Sequence, residues 1–129
     1  MFFMVERFGD LIYTSEYEEK VLMEKHTPYI EAPDSVKAGE ELKVTIIVGK
    51  EVAHPNTWEH HIKWVQIFVE EEGRAFNPVH VATYDLGPTY GEPKVTLSVK
   101  LRRNSKLWVL AYCNLHGLWE SYKEVRIES

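Results

Sequence analysis

Lys94-Val95-Thr96-Leu97-Ser98-Val99-Lys100-Leu101 alternates polar and apolar residues without a break. Successive side chains of an extended strand point to opposite faces, so this octet reads as a strand with one buried and one wet face. Leu42, Val44, Ile46 and Val48 repeat the pattern against Lys43 and Thr45. Ile62 to Val69 and Leu107 to Cys113 are apolar on both phases, which marks central strands or outer faces covered by a partner subunit. Seven strands are expected, at about 28–33, 41–49, 62–71, 77–85, 94–102, 106–113 and 118–128. Ala38-Gly39, Glu72-Gly73-Arg74, the Gly87-Pro88 and Gly91-Glu92-Pro93 segment, and Arg103-Asn104-Ser105 supply turns between them. No helical pattern of roughly 10–15 residues separates the strands, which argues against a parallel α/β sheet. The expected architecture is all-β, an antiparallel β-sandwich.

The 129 residues are expected to form a single domain, 1–129. Its body is 27–129 and residues 1–26 are an irregular N-terminal arm. In that arm Phe2, Phe3, Phe8, Leu11, Ile12 and Tyr13 are mixed with charges, as in a short helical turn or a segment packed on the body. Hydrophobic residues are 44% and charged residues 27%, ordinary for a globular chain and unlike a disordered one. The net charge of −5 and the lack of a basic stripe argue against a nucleic-acid partner. Met1 to Val5 is apolar but stops at Glu6-Arg7, too short for a signal peptide. No stretch approaches the ~18 apolar residues of a membrane span, and a cytoplasmic location is expected. One cysteine, without a disulfide framework, fits a reducing compartment.

That cysteine lies in Cys113-Asn114-Leu115-His116; further histidines occur in Glu24-Lys25-His26 and in His54-Pro55-Asn56-Thr57-Trp58-Glu59-His60-His61. If each connection reverses the chain, the start of the first strand, the connection between the second and third, and that between the sixth and seventh share one end of the sandwich. His26, His54, His60, Cys113 and His116 therefore gather there, while His80 sits inside the fourth strand, away from them. His61 follows His60, so in extended backbone its side chain points the opposite way. Cys113 is in phase with Leu107, Val109 and Ala111, which puts its sulfur at the rim of the core.

Four imidazoles and one thiolate exceed the four ligands of structural zinc. They suit an iron with a sixth position free for an exogenous ligand. Fe²⁺ with one thiolate leaves a net positive site, and Lys25 beside His26 adds to it, so a small anion is attracted although the whole chain is acidic.

Glu24–His26, His54–Ile62 and Tyr112–Glu120 together resemble the superoxide reductases of the single-iron class, the neelaredoxins. The resemblance implies an immunoglobulin-like sandwich and a non-haem iron bound by His26, His54, His60 and His116 with Cys113 on the axis. It implies one-electron reduction of superoxide to hydrogen peroxide, with electrons from a rubredoxin-like donor. It implies that Glu24 occupies the sixth position of the resting ferric iron, and that Lys25 attracts superoxide and helps protonate the product. It also implies a homodimer or homotetramer. Trp58, Thr27 and the short connection from Asp85 to Pro93 depart from the family pattern, while the ligands do not. Asn56 and Asn114 are candidates for orienting the ligand loops, and Trp58 and Trp119 are expected to be packing residues. Two alternatives stand beside this reading. One is a blue-copper-like electron carrier, which needs an axial methionine or a substitute where no Met follows Met23. The other is a metal-free immunoglobulin-like interaction domain.

Overall fold

A computed structural model describes residues 5–128; Phe2 and Phe3 of the expected arm lie outside that range. The strands are β1 (Pro28–Glu31), β2 (Ser35–Lys37), β3 (Glu41–Val48), β4 (Ile62–Glu71), β5 (Val79–Asp85), β6 (Lys94–Lys100), β7 (Ser105–Cys113) and β8 (Gly117–Glu128). They form a three-stranded sheet, β1-β3-β6, and a five-stranded sheet, β2-β8-β7-β4-β5. Every pairing is antiparallel except β2 with β8, which is parallel over Ser35 to Lys37.

All seven expected strands are present, and β2 is an addition. Three residues are too short to show a period, so nothing in Ser35-Val36-Lys37 announces it. β5 begins at Val79 rather than at residue 77. Pro78 has no N–H to donate to a ladder. Asn77 instead turns its side chain on Glu71, accepting from its N–H and donating to its carbonyl, each at 3.0 Å.

The alternating residues close the core as the pattern requires. Val44, Ile46, Val65, Ile67, Leu107, Val109 and Val125 are fully buried between the sheets, and Cys113 continues the β7 set. Each such aliphatic side chain contributes about 1.5–3 kcal/mol relative to exposure. The second apolar phase of β4 and β7 has its own explanation on the outer face. There Trp64 stacks on Tyr112 and Trp108 tilts against Tyr122, each with its register partner, and Phe68 meets His80 edge-on. Cross-strand aromatic pairs of this kind stabilise a sheet by roughly 0.2–1 kcal/mol each.

The arm contains a 3-10 turn at Phe8–Leu11, then a single bridge from Tyr13 to Trp119, then helix α1 (Lys20–His26). Its Ile12 and the β-residues Phe68, Trp108 and Leu110 line an apolar cleft that also holds Glu120. Burial raises the Glu120 pKa. The folded state thus holds this proton more tightly than the unfolded chain does. Glu120 favours folding at pH below the unfolded carboxyl value, and that contribution is lost as pH rises through the raised folded value. Glu120→Gln is therefore expected to raise the melting temperature at neutral pH. The gain should vanish below about pH 4, where the carboxyl is protonated in both states; calorimetry across pH checks both arms.

Candidate metal centre

Four separate pieces of chain end at one rim of the sandwich. His26 closes α1, whose N-terminus is capped by the Glu19 carboxylate accepting from the N–H groups of Val21 and Leu22. The helix stops there because Pro28 disfavours helical backbone at the residue before it, and Thr27 is extended. His54 follows β3 through a turn at Gly49, whose φ is +85°; a Cβ on that residue would sit 2.5 Å from the His54 nitrogen, so only glycine fits. His60 lies in the loop leading to β4, and Cys113 is the last residue of β7. His116 lies in the tight β7–β8 connection, where Gly117 takes a φ of +81° and pairs in register with Cys113.

The donor atoms of His26, His54, His60 and Cys113 all lie within 4.8 Å of one another. His116 completes a ring of imidazoles. Centroid separations run 4.8 Å from His26 to His54, 4.6 Å to His60, 5.0 Å on to His116 and 4.8 Å back to His26. The His26–His60 diagonal is longer, 6.2 Å. His116 Nδ1 lies 3.8 Å from Cys113 Sγ, and its backbone N–H points at the same sulfur at 3.4 Å.

The protonation pattern suits a cation. His26 Nδ1 donates to the Leu22 carbonyl at 2.7 Å and His54 Nδ1 to the Pro55 carbonyl at 2.6 Å. Each such bond leaves the lone pair on Nε2. The Nε2 atoms of His26, His54 and His60 are buried and have no hydrogen-bond partner. A buried, unpaired polar atom costs about 1–3 kcal/mol, and a metal ion accepting all three lone pairs would remove that cost. Burial lowers the pKa of His26 and His60, to which His116 and Lys25 add; it takes His54 down to about 4. These imidazoles are neutral at physiological pH and ready to ligate. Burial raises the Cys113 thiol, opposed only by the N–H groups of His116 and Leu115. The thiol therefore stays protonated unless a cation offsets the thiolate charge.

Not every candidate joins this group. His80 binds Thr83 on the outer face, and His61 turns to the Thr57 carbonyl. Glu24 contributes no donor atom to the cluster. It precedes His26 by two residues on α1, and at 3.6 residues per turn two steps carry it to the far side of the helix. Lys25 immediately precedes His26 on α1, and its positive charge adds to the lowering of the His26 and His60 pKa values.

Several contributors were not legible in the sequence. The carbonyls of Leu22 and Pro55 set two tautomers. Trp119, expected to be packing alone, lies almost parallel to the His26 ring, 4.9 Å between centroids at 19°, and donates its indole N–H to the His116 carbonyl at 3.0 Å. Its register partner is Ala111, a small residue opposite the indole and the one available sequence signal.

The two asparagines do tie loops. Asn56 accepts from the Thr89 N–H, joining the His54–His60 loop to the Leu86–Pro93 connection. Asn114 accepts from the His61 N–H at 2.8 Å and donates to the Glu59 carbonyl at 2.9 Å, so it grips the chain on both sides of His60. Asn114→Ala is expected to lower affinity for a divalent metal by about 10–100-fold, the range for losing an outer-shell partner of a ligand. Chelator competition measures it, and Asn114→Asp, which keeps the acceptor and loses the donor, should fall between.

The family model described as Desulfoferrodoxin matches residues 18–122, a span that contains every residue gathered at this rim. The chain belongs to the desulfoferrodoxin family. This chain is similar to neelaredoxin from Megalodesulfovibrio gigas, at 36% identity over 92% of this chain and 97% of that protein. It is similar to superoxide reductase from Pyrococcus horikoshii, at 41% identity over 81% of this chain and 89% of that one. Among solved structures, superoxide reductase (neelaredoxin) from Ignicoccus hospitalis matches with a TM-score of 0.88 and 45% identity, covering 95% of this chain and all of that one.

Proposed function

We propose that this chain is a superoxide reductase, in which superoxide takes up one electron and two protons to become hydrogen peroxide at a mononuclear non-haem iron. One observation carries the reading: three buried, unpartnered imidazole nitrogens and one buried sulfur converge on a common point in a chain whose relatives are named superoxide reductase. Iron bound there supplies the electron by passing from the ferrous to the ferric state. His26, His54 and His60 would hold it through Nε2, Cys113 through Sγ and His116 through Nδ1, which lies 3.8 Å from that sulfur. Lys25 draws the anionic substrate toward the His26–His60 side and stands ready to give a proton to the product. Glu24 would supply a carboxylate ligand to the oxidised ion from the last turn of α1, the same turn that carries His26.

The reading extends to a rubredoxin-like electron donor, a homodimer or homotetramer packed through the aromatic outer face, and a cytoplasmic location. The single buried free thiol supports the last of these, and no helix among the described residues is long and apolar enough to cross a membrane. One contiguous apolar core supports a single folding unit over 1–129. The blue-copper and metal-free alternatives draw no support from the family match or from four donors at one point.

The stoichiometry of the reaction tests the proposal. Iron-loaded protein held reduced by an excess of donor is expected to form one hydrogen peroxide per superoxide consumed. One peroxide per two superoxides, with release of dioxygen, would mean dismutation and would overturn the reading.

A further inference from the structure

Hydrogen peroxide is the product of the proposed reaction, and it is also an oxidant that a ferrous centre reduces further. The structure contains a path along which such oxidation can be drawn off. Trp119, 2% exposed, lies flat on the His26 ring. On the indole rest Tyr13 and Tyr17, with centroids at 5.0 and 5.2 Å, and the two phenols meet edge-on at 5.3 Å. Tyr13 is pinned to β8 by its N–H to the Leu118 carbonyl at 2.9 Å and by its carbonyl accepting from Glu120 N–H at 2.8 Å. Tyr13 and Tyr17 are 42% and 38% exposed, and with Leu11 and Leu115 they line an open cleft of about 480 Å³. Aromatic contact is thus continuous from a metal-ligand ring to solvent. The other stacked tryptophans, Trp64 on Tyr112 and Trp108 on Tyr122, lie on the outer face of the sheet.

Resting on the iron-centre reading above, we infer that Trp119, Tyr13 and Tyr17 form a hole-transfer chain that carries oxidising equivalents away from the ligands. Reduction of hydrogen peroxide to two waters needs two electrons and two protons. A ferrous ion held by His26, His54, His60, His116 and Cys113 would supply one of these electrons. The second comes from Tyr13 or Tyr17 by way of Trp119; the phenol loses its proton with that electron, and this proton and one from solvent complete the two waters. A soluble hydrogen-atom donor such as ascorbate, reaching the cleft, returns one electron and one proton to the phenoxyl group. Without the chain, the second electron and its proton come from the nearest oxidisable ligand, Cys113; the resulting thiyl radical adds dioxygen from the aerated buffer and, with one electron and one proton from the same soluble donor, becomes a sulfinic acid, a stage that is irreversible and leads on to the sulfonic acid.

Reduced, iron-loaded protein treated with one equivalent of hydrogen peroxide and mapped by mass spectrometry tests this. Tyr13 and Tyr17 are expected to be oxidised several-fold more than Tyr90 and Tyr122, although those are 87% and 50% exposed. Zinc-loaded protein should not show this preference. Trp119→Phe keeps a ring against His26 that is much harder to oxidise; at matched iron content it should lower Tyr13 and Tyr17 oxidation several-fold and raise Cys113 sulfinic and sulfonic acid. Oxidation that follows exposure, that is the same with zinc, or that is undiminished in Trp119→Phe would overturn the inference. Should that variant not fold, Tyr13→Phe combined with Tyr17→Phe must raise Cys113 oxidation, and unchanged Cys113 oxidation would overturn it. Because peroxide is added directly, iron protein that oxidises these tyrosines but leaves superoxide unreduced would sink the proposed function and not the chain.

Discussion

Cys113→Ser is expected to abolish the visible sulfur-to-iron charge-transfer band of the oxidised protein and to reduce superoxide turnover to background. Cys113 is the only sulfur in the donor cluster, and its side chain is completely buried. A serine hydroxyl at this position stays neutral, so the ion loses both its soft donor and the one negative charge that offsets its own. Iron affinity should fall by more than the ~10–100-fold that loss of an outer-shell partner costs. The oxidised absorption spectrum and equilibrium dialysis against a chelator measure the two effects. The fold should survive, because serine is smaller than cysteine and the β7 ladder pairs through the backbone; the buried hydroxyl costs about 1–3 kcal/mol, and far-ultraviolet circular dichroism checks it. A band that persists in this variant would show that the colour, and the metal, lie elsewhere.

Lys25→Ala is expected to lower the second-order rate constant for superoxide about 10-fold or more at low ionic strength, within the range by which local fields alter encounter rates. The chain carries a net charge of −5, so an anion is repelled at long range and must be recruited close to the site. Lys25 is suited to that because its charge is felt by both His26 and His60. Among the described residues the one ion pair is Lys123 with Asp34, which leaves the Lys25 ammonium uncommitted. Screening shortens the reach of a charge to roughly 10 Å at 0.1 M salt. The gap between the natural chain and the variant should therefore narrow as salt rises, and Lys25→Arg should restore most of the low-salt rate. Rapid mixing or pulse radiolysis over a salt series gives the slope. Equal rates at every ionic strength would remove Lys25 from the encounter.

Much of the centre was legible because strand period and chain direction are both written in the sequence. Alternation in Leu42–Val48 and Val95–Leu101 identifies strands, and counting reversals sends His26, His54, His60, Cys113 and His116 to one end. The added β2 leaves that count intact, since β1 and β3 remain antiparallel with Pro28 opposite Val48. Contacts made across long sequence separations were not legible. The meeting of Trp119 with His26, and of Tyr13 with Trp119, depends on how the arm lies along β8, which no local period encodes. The carbonyls that set the imidazole tautomers carry no residue-type signal, since every residue has one. Both apolar phases of β4 and β7 were visible, but their resolution into Trp64–Tyr112 and Trp108–Tyr122 pairs required the register.

The ligands are divided between the two layers. His26 leads into β1 and His54 follows β3, both in the three-stranded sheet, whereas His60 leads into β4 and Cys113 ends β7 in the five-stranded one. A bound ion is consequently a rivet through both layers at one edge, joining segments far apart along the chain. Sliding or splaying of one layer against the other at that edge would have to break metal–ligand bonds as well as apolar contacts. The mechanical stiffness of the molecule is then uneven, greatest where the chemistry takes place and lower at the opposite end.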